Sequence, residues 1–344
     1  MSWRARLLVA LCLVCLAYDG GSDAQSLQIG IIDLYGLGSL PAADVRKTLT
    51  FKEGDSISFA SAERPAFLAE NEQRLTTLPG VIRASISPVC CDDGRVIVYV
   101  GLEQKGQPSS PFRNVPTGTV RLADDLLQAG REYGDASMGA VMRGDAAEDD
   151  SQGHALTHDP GARAIQEKFI GFASRDLVKL RQVLRDSSDA EHRAIAAEVL
   201  GYAAAKQDVV PDLVEAMRDS DPGVRNNAMR ALAVFTRKAH TGSEPAIVVP
   251  YDPFIARLNS LVWTDRNKSS WALLELSASR DPKLFEALRR DALPSLIEMA
   301  RWKSVGHATD SLWILGRMGG MSDETIDLAL KVGDRERIIT AVAK

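Results

Sequence analysis

Along residues 160–344, apolar side chains return every three or four positions, the period of an amphipathic helix, in blocks separated by short Asp-rich turns. The block running from Asp189 through Arg193 and Leu200 to Gly201 returns from Asp221 through Arg225 and Leu232 to Ala233, with Asp, Arg, Ala and Leu recurring at an offset of 32. A repeat of that period implies stacked supersecondary units, none of which buries its apolar face alone. Each unit divides into two helices: Leu177 to Arg185 then Glu191 to Ala204, and Val209 to Met217 then Gly223 to Thr236. Asp189 and Asp221 stand where they cap the second helices. Arg193 and Arg225, one turn on, then read as i,i+4 partners worth about a few tenths of a kcal/mol. Asp-Pro pairs at 159–160, 221–222, 252–253 and 281–282 mark four helix starts by the same chemistry. Looser units follow: Phe254 to Trp263 with Lys268 to Ser279, Leu284 to Trp302 with His307 to Arg317, and a closing pair, Thr325 to Val332 and Arg337 to Val342.

The pattern changes in residues 26–105. Leu27 to Tyr35 is β-branched and apolar, a strand broken by Gly36-Leu37-Gly38. Helices are expected from Ser39 to Leu49 and from Ala62 to Leu78, the second stopped by Pro79-Gly80. Val81 to Val89 alternates apolar and polar, Asp92-Asp93-Gly94 is a hairpin turn, and Val96 to Leu102 is the return strand. The order is β-α-α-β-β.

The segment "DPGVRNNAMRALAVF" resembles HEAT repeats, in particular the short kind of bilin-lyase-like proteins. That resemblance covers 189 to 236 best and implies an α-solenoid whose inner helices form a binding surface. The lyase activity belongs to a cytosolic pathway and is not carried over. In the first domain, the strand ending at Gly36 or Gly38, "LPAADVRKTL", "FKEGDSIS" and "RLTTLPGVIRASI" resemble a polypeptide-transport-associated (POTRA) domain over 27 to 103. The resemblance implies a periplasmic module that adds a strand at its sheet edge or packs against a membrane-embedded partner. No alternating barrel segments follow. The expected fold is therefore a POTRA-like α+β domain (26–105), a linker with a helix from Val120 to Met142 and an acidic loop (106–160), and an all-α HEAT-like array (161–344).

The first 24 residues read as a cleavable export signal: Arg4 and Arg6, an apolar run from Leu7 to Ala17, and small residues before a cut at Gln25. The run is too short to span a bilayer, which takes about 20 apolar residues. The expected location is periplasmic or secreted, in a bacterial envelope, with no stable membrane insertion after cleavage. Of four cysteines, Cys90 and Cys91 then remain. As neighbours on a strand they point to opposite faces, which disfavours holding one metal; a vicinal disulfide, a bridge to another chain and free thiols stay open.

Composition adds two points. The chain is 45% hydrophobic and 25% charged with net charge −5, so it is a folded chain without the basic footprint of a nucleic-acid binder. The acidity is local: residues 108–160 hold four basic against nine acidic residues, densest at Asp145 to Asp150. Beside that cluster, His154 and His158 at i,i+4, with Asp150, have divalent-metal chemistry and give the alternative reading, a metal-dependent enzyme or metal-binding protein. Gly153 and Asp159-Pro160 favour a turn over a helix there. An insertion at 240–251 offers Val248, Val249 and Tyr251 as a partner contact. No GxSxG, P-loop, GxGxxG or HExxH is present. The sequence reads as an exported protein-binding scaffold, not an enzyme, with no cofactor and with another envelope protein as partner.

Overall fold

The structure, a computed structural model, describes residues 26–58, 65–108, 111–145, 147–240 and 247–342. The expected signal (1–24) and part of the expected insertion (241–246) lie outside them. The chain forms two units, crossing between them at 109–110, 258–259, 263–264 and 291–292. The described helices include none long and apolar enough to cross a membrane.

The sheet unit takes residues 26–108 together with 259–263 and 292–342. Its N-terminal part runs β1 (Ser26–Tyr35), α1 (Ala42–Thr48), β2 (Ser56–Ser58), α2 (Ala66–Leu75), β3 (Val81–Asp92) and β4 (Arg95–Gln104). The sheet order is β2-β1-β4-β3, with β1 parallel to β4 and the other neighbours antiparallel. The short β2 adds to the expected order: Ile57 of the "FKEGDSIS" segment is 1% exposed and pairs with Leu27 on the edge of β1. Cys90 and Cys91, near the end of β3, are joined to each other by a disulfide.

One face of the sheet packs on α1 and α2 through Ile29, Ile32, Leu34, Val96, Val98, Val100 and Leu102, against Val45, Leu68 and Leu75. The alternate positions of the strands, Asp33 and Tyr35 on β1 and Ile97 and Tyr99 on β4, are buried as well. That second face is covered by α12 (Leu293–Ala300), the turn at 302–304 and the start of α13 (Val305–Met318), together with 259–263, while α14 (Asp323–Lys331) and α15 (Arg335–Ala341) pack on α13. Trp302 lies 4.9 Å from the Tyr99 ring and 6.1 Å from Tyr35, and Trp263 stacks on Tyr99 at 4.7 Å. The Tyr35 ring occupies the space over its cross-strand neighbour Gly101, where a Cβ would come within 2.4 Å of the ring.

Polar groups fix this docking. Asp33 accepts the N–H groups of Lys303 and Ser304 (2.8 and 3.1 Å), so a carboxylate from β1 holds the turn that leads into α13. Glu298 accepts from the N–H groups of Gly36 and Leu37 (2.8 and 3.1 Å). Tyr99 and His307 Nδ1 share a hydrogen bond of 2.5 Å. Burial raises the Asp33 carboxyl above its ordinary value, against those two backbone N–H groups.

The boundary expected at residue 105 thus cuts through a core: 292–342, read from sequence as the end of the array, complete the sheet unit. Residues 26–105 made alone would expose Tyr35, Ile97 and Tyr99. We expect that fragment to melt without cooperativity; a sharp, two-state melt by circular dichroism would contradict the packing described.

The repeat unit takes 111–258 and 264–291 among the described residues. Its helices are α3 (Asp124–Met142), α4 (Pro160–Arg175), α5 (Leu177–Asp186), α6 (Ala190–Leu200), α7 (Lys206–Ala216), α8 (Pro222–His240), α9 (Asp252–Arg257), α10 (Trp263–Leu276, counted here from Thr264) and α11 (Pro282–Asp291), with β5 (Glu148–Asp149) and β6 (Leu156–Thr157) as a small hairpin. The expected pairs α5/α6 and α7/α8 form within a residue or two at most ends, α6 stopping earlier and α8 running on. The expected long helix from 284 to 302 is divided at Ala292, just before Pro294, into α11 and α12. Three Asp-Pro pairs cap as expected, through Asp159, Asp221 and Asp281. Asp252 instead lies inside α9, whose cap position is Tyr251.

Candidate interaction face

The repeat is kept bond by bond. Asp189 accepts the His192 N–H and Asp221 the Val224 N–H (3.4 and 3.0 Å). Two residues earlier, Ser187 Oγ and Asp219 Oδ1 accept the N–H groups of Asp189 and Asp221 (3.2 and 2.9 Å). Arg193 donates to the Ser187 carbonyl and Arg225 to that of Asp219 (2.9 and 2.8 Å). All of these positions obey the offset of 32.

The arginines do not pair with the capping Asp of their own helix. Arg193 donates to both oxygens of Asp219 (2.9 and 2.8 Å), and Arg225 Nε donates to Asp265 (2.9 Å). The reason is burial: both arginines are 1% exposed and both carboxylates 0%, while Asp189 and Asp221 are partly solvated and spend oxygens on helix N–H groups. A buried guanidinium needs a buried carboxylate, and each is supplied by the turn or helix start of the following unit. An Arg–Asp ladder therefore ties successive units together.

Burial by itself would raise the Asp219 carboxyl. Hydrogen bonds from Arg193, the Asp221 N–H and Arg113 outweigh it and hold the group below its ordinary value. A carboxylate depressed on folding gives stability that is full above its unfolded pKa, about 3.9, and is lost as pH falls through the lower folded value. The urea midpoint is accordingly expected to drop below about pH 4 in the wild type, and to drop less steeply in Asp219→Asn. Parallel slopes in the two proteins would remove Asp219 from the acid response.

The stretch expected as a linker is bound along these units. The Phe112 ring lies 3.9 Å from the Arg225 guanidinium and 4.7 Å from that of Arg257. Arg113 donates to Asp219 and to the Leu184 carbonyl. Gly118 N–H donates to the Asp186 carbonyl (2.9 Å), and Leu122 N–H to His192 Nδ1 (2.9 Å). Helix α3 then buries Leu126, Ala129 and Tyr133.

The acidic loop is bound too, as the β5–β6 hairpin. Glu148 pairs with Arg230, which also donates to Glu198 (3.0 Å). Asp150 pairs with Arg237, which also donates to Glu275 (2.8 Å). Lys238 Nζ donates to the Ser151 carbonyl (3.2 Å), Tyr202 O–H to that of Ala155 (2.9 Å), and Thr157 N–H to Gln166 Oε1 (2.7 Å). Burial raises the Glu198 carboxyl, opposed by Arg230. Burial would lower Arg237, but Glu275 and Asp150 hold it above its ordinary value. Along α6 and α8, from His192 to Leu200 and from Val224 to Thr236, only Ala194 and Asn227 are more than marginally exposed. The second helices, expected to offer an open binding surface, are covered in part by this chain's own residues.

The candidate metal residues do not converge. Asp150 is spent on Arg237; His154 is half-buried against the Tyr202 ring at 5.5 Å; His158 is exposed, with its N–H donated to the Ala147 carbonyl. Burial, then the charge of Lys206, lowers the His154 pKa. Among the described residues no group of three or more His, Cys, Asp or Glu is placed to hold a metal. Of the three expected contact residues only Val248 is exposed, at 66%; Val249 is 6% exposed and Tyr251 half-buried, because alternate residues of this extended stretch turn inward. Sequence reasoning missed Glu198, Arg230 and Arg237. The available signal was Arg230 and Arg237 at i,i+7 on one helix, and an acidic cluster, 145–150, with no basic residue of its own.

A search of the curated proteins gives no match to the chain. Among solved structures, the complex of CpcE and CpcF of phycocyanin lyase from Nostoc sp. PCC7120 is similar at 16% identity and a TM-score of 0.23, covering 68% of this chain and 100% of that one. At that score the likeness carries no argument. A family model for HEAT repeats matches residues 177–247. The stretch that builds the Arg–Asp ladder, α5 to α8, is thus a run of HEAT repeats.

Proposed function

We propose that the protein is an exported scaffold, and not an enzyme, that binds another protein of the cell envelope through its HEAT repeats. The observation that carries this reading is the buried ladder, Arg193–Asp219 and Arg225–Asp265, which fixes successive helix pairs in one geometry and so presents a preformed surface. Export is read from the signal-like pattern of residues 1–24, and the periplasm from that pattern together with the POTRA resemblance of 27–103.

The partner belongs on the repeats rather than on the sheet edge. Strand β3 is the long edge, but its Ile86 N–H already donates to Glu72 (2.6 Å), and Pro88, two residues on along the same edge, has no N–H. Two successive donors are lost to an incoming strand, which blunts the edge.

The test is lysine cross-linking in intact envelopes of cells making the full-length chain, read by mass spectrometry. Links to a second protein are expected from Lys168, Lys179, Lys238 and Lys283 of the repeat unit. Links confined to Lys47, Lys52 and Lys105 would move the binding element to the sheet. The intact mass of the same protein reports whether the chain starts at Gln25.

A further inference from the structure

We propose that the hairpin 147–158 is an exchangeable occupant of the partner-binding face, and that the segment replacing it is an acidic stretch of a partner protein. The inference rests on the scaffold reading above and names the chemistry of its ligand.

The face is cationic where the hairpin sits. Arg230, Arg237 and Lys238 come from α8, with Lys206 at the start of α7. They receive Glu148, Asp150 and the Ser151 carbonyl. Gly153 (φ +78°) is seated so closely that a Cβ would lie 2.6 Å from Lys206 Cε and 3.0 Å from Lys238 Cγ. The bound hairpin thus displays the ligand the face accepts: two carboxylates two residues apart, followed by a tight turn.

The same contacts show why it can leave. Each arginine holds two carboxylates, one from the hairpin and one from a neighbouring helix: Arg230 keeps Glu198, and Arg237 keeps Glu275. Departure therefore strands no buried guanidinium, the event that makes breaking a buried pair costly. Tyr202 O–H loses the Ala155 carbonyl but still faces Glu198 Oε1 at 3.4 Å. The apolar anchor is small, chiefly Ala155 and Leu156, at 4% and 6% exposed. Arg230 Nε is buried without a hydrogen-bond partner, so the face retains donor capacity that the hairpin does not use. A partner carboxylate entering here meets the geometry that the hairpin already satisfies.

The experiment uses the full-length chain and, as probe, a fluorescent peptide of residues 145–158, with a scrambled peptide of the same charge beside it. In the wild type the tethered hairpin competes and binding is weak. Glu148→Gln/Asp150→Asn loosens the hairpin without removing it, and the peptide is expected to bind at least about tenfold tighter, because the open fraction of the face rises. Adding Arg237→Ala to that variant should erase the gain. Equal affinity for all three proteins, or for the scrambled peptide, overturns the proposal. So does failure of a folded double variant to bind while repeat-unit cross-links to a partner persist, an outcome that leaves the scaffold reading standing. Hydrogen exchange on the wild type decides independently of any variant's folding. The Thr157 and His158 amides are expected to exchange at least about tenfold faster than those in the middle of α8, and equal protection sinks the idea.

Discussion

Asp219→Ala should be among the most damaging single substitutions in the repeat unit, with an expected cost of about 3–5 kcal/mol. Arg193 is 1% exposed, and its guanidinium loses both carboxylate oxygens, keeping the Ser187 carbonyl; Arg113 loses the same carboxylate, and the Asp221 N–H loses its acceptor. The cost comes chiefly from the cation left behind, not from the strength of the pair. Removing both charges together with Arg193→Met/Asp219→Leu should therefore destabilise less than Asp219→Ala alone. Urea unfolding of the three proteins checks this. A double variant worse than Asp219→Ala would mean that the ladder adds net stability beyond its charge pairing. An Asp219→Ala midpoint within about 0.5 kcal/mol of wild type would mean that it ties nothing.

Trp302→Ala carries the second large effect, about 3–5 kcal/mol, in the sheet unit. The side chain is 2% exposed and sits against Tyr35 and Tyr99, so truncation opens a cavity on the second face of the sheet. The indole N–H has no hydrogen-bond partner. Trp302→Phe then loses volume and no bond, and about 1–2 kcal/mol is expected. Thermal melts of both variants provide the measurement. Equal losses would show that the indole N–H or its exact shape, not its bulk, holds the face together.

These two sites show where the sequence was readable. Helices α5 to α8 were legible because period, caps and offset of 32 all agree within one segment, and such agreement across levels is what specifies structure. The ladder was not, because Arg193 finds Asp219 at a separation of 26 residues while Asp189, four residues away, offers a plausible but solvated partner. The next rung spans 40 residues, Arg225 to Asp265, since the insertion lies between them. The strand Val96 to Leu102 was legible as a strand. Its unbroken apolar run also signalled burial on both faces, but nothing local could say that 259–263 and 292–342 supply the second cover.

The acidic segment misled for a related reason. A run of like charge read alone is a solvated loop or a metal site; only the fold brings Arg230 and Arg237 to it. The histidines drew attention by spacing, yet His154 lies against an aromatic ring and His158 faces solvent. Gly130 lowers the helix propensity of α3, but a Cβ there would meet Ile195 Cδ1 at 2.6 Å, so the close packing of α3 on α6 uses that glycine.

Hydrogen exchange of the full-length chain, with and without the partner identified by cross-linking, tests the central claim most directly. The account predicts new protection along the repeats, within 177–240, with loss of protection in the displaced hairpin at 148–157. Protection confined to β3 and its neighbours in the sheet unit, with the repeats unchanged, would contradict it.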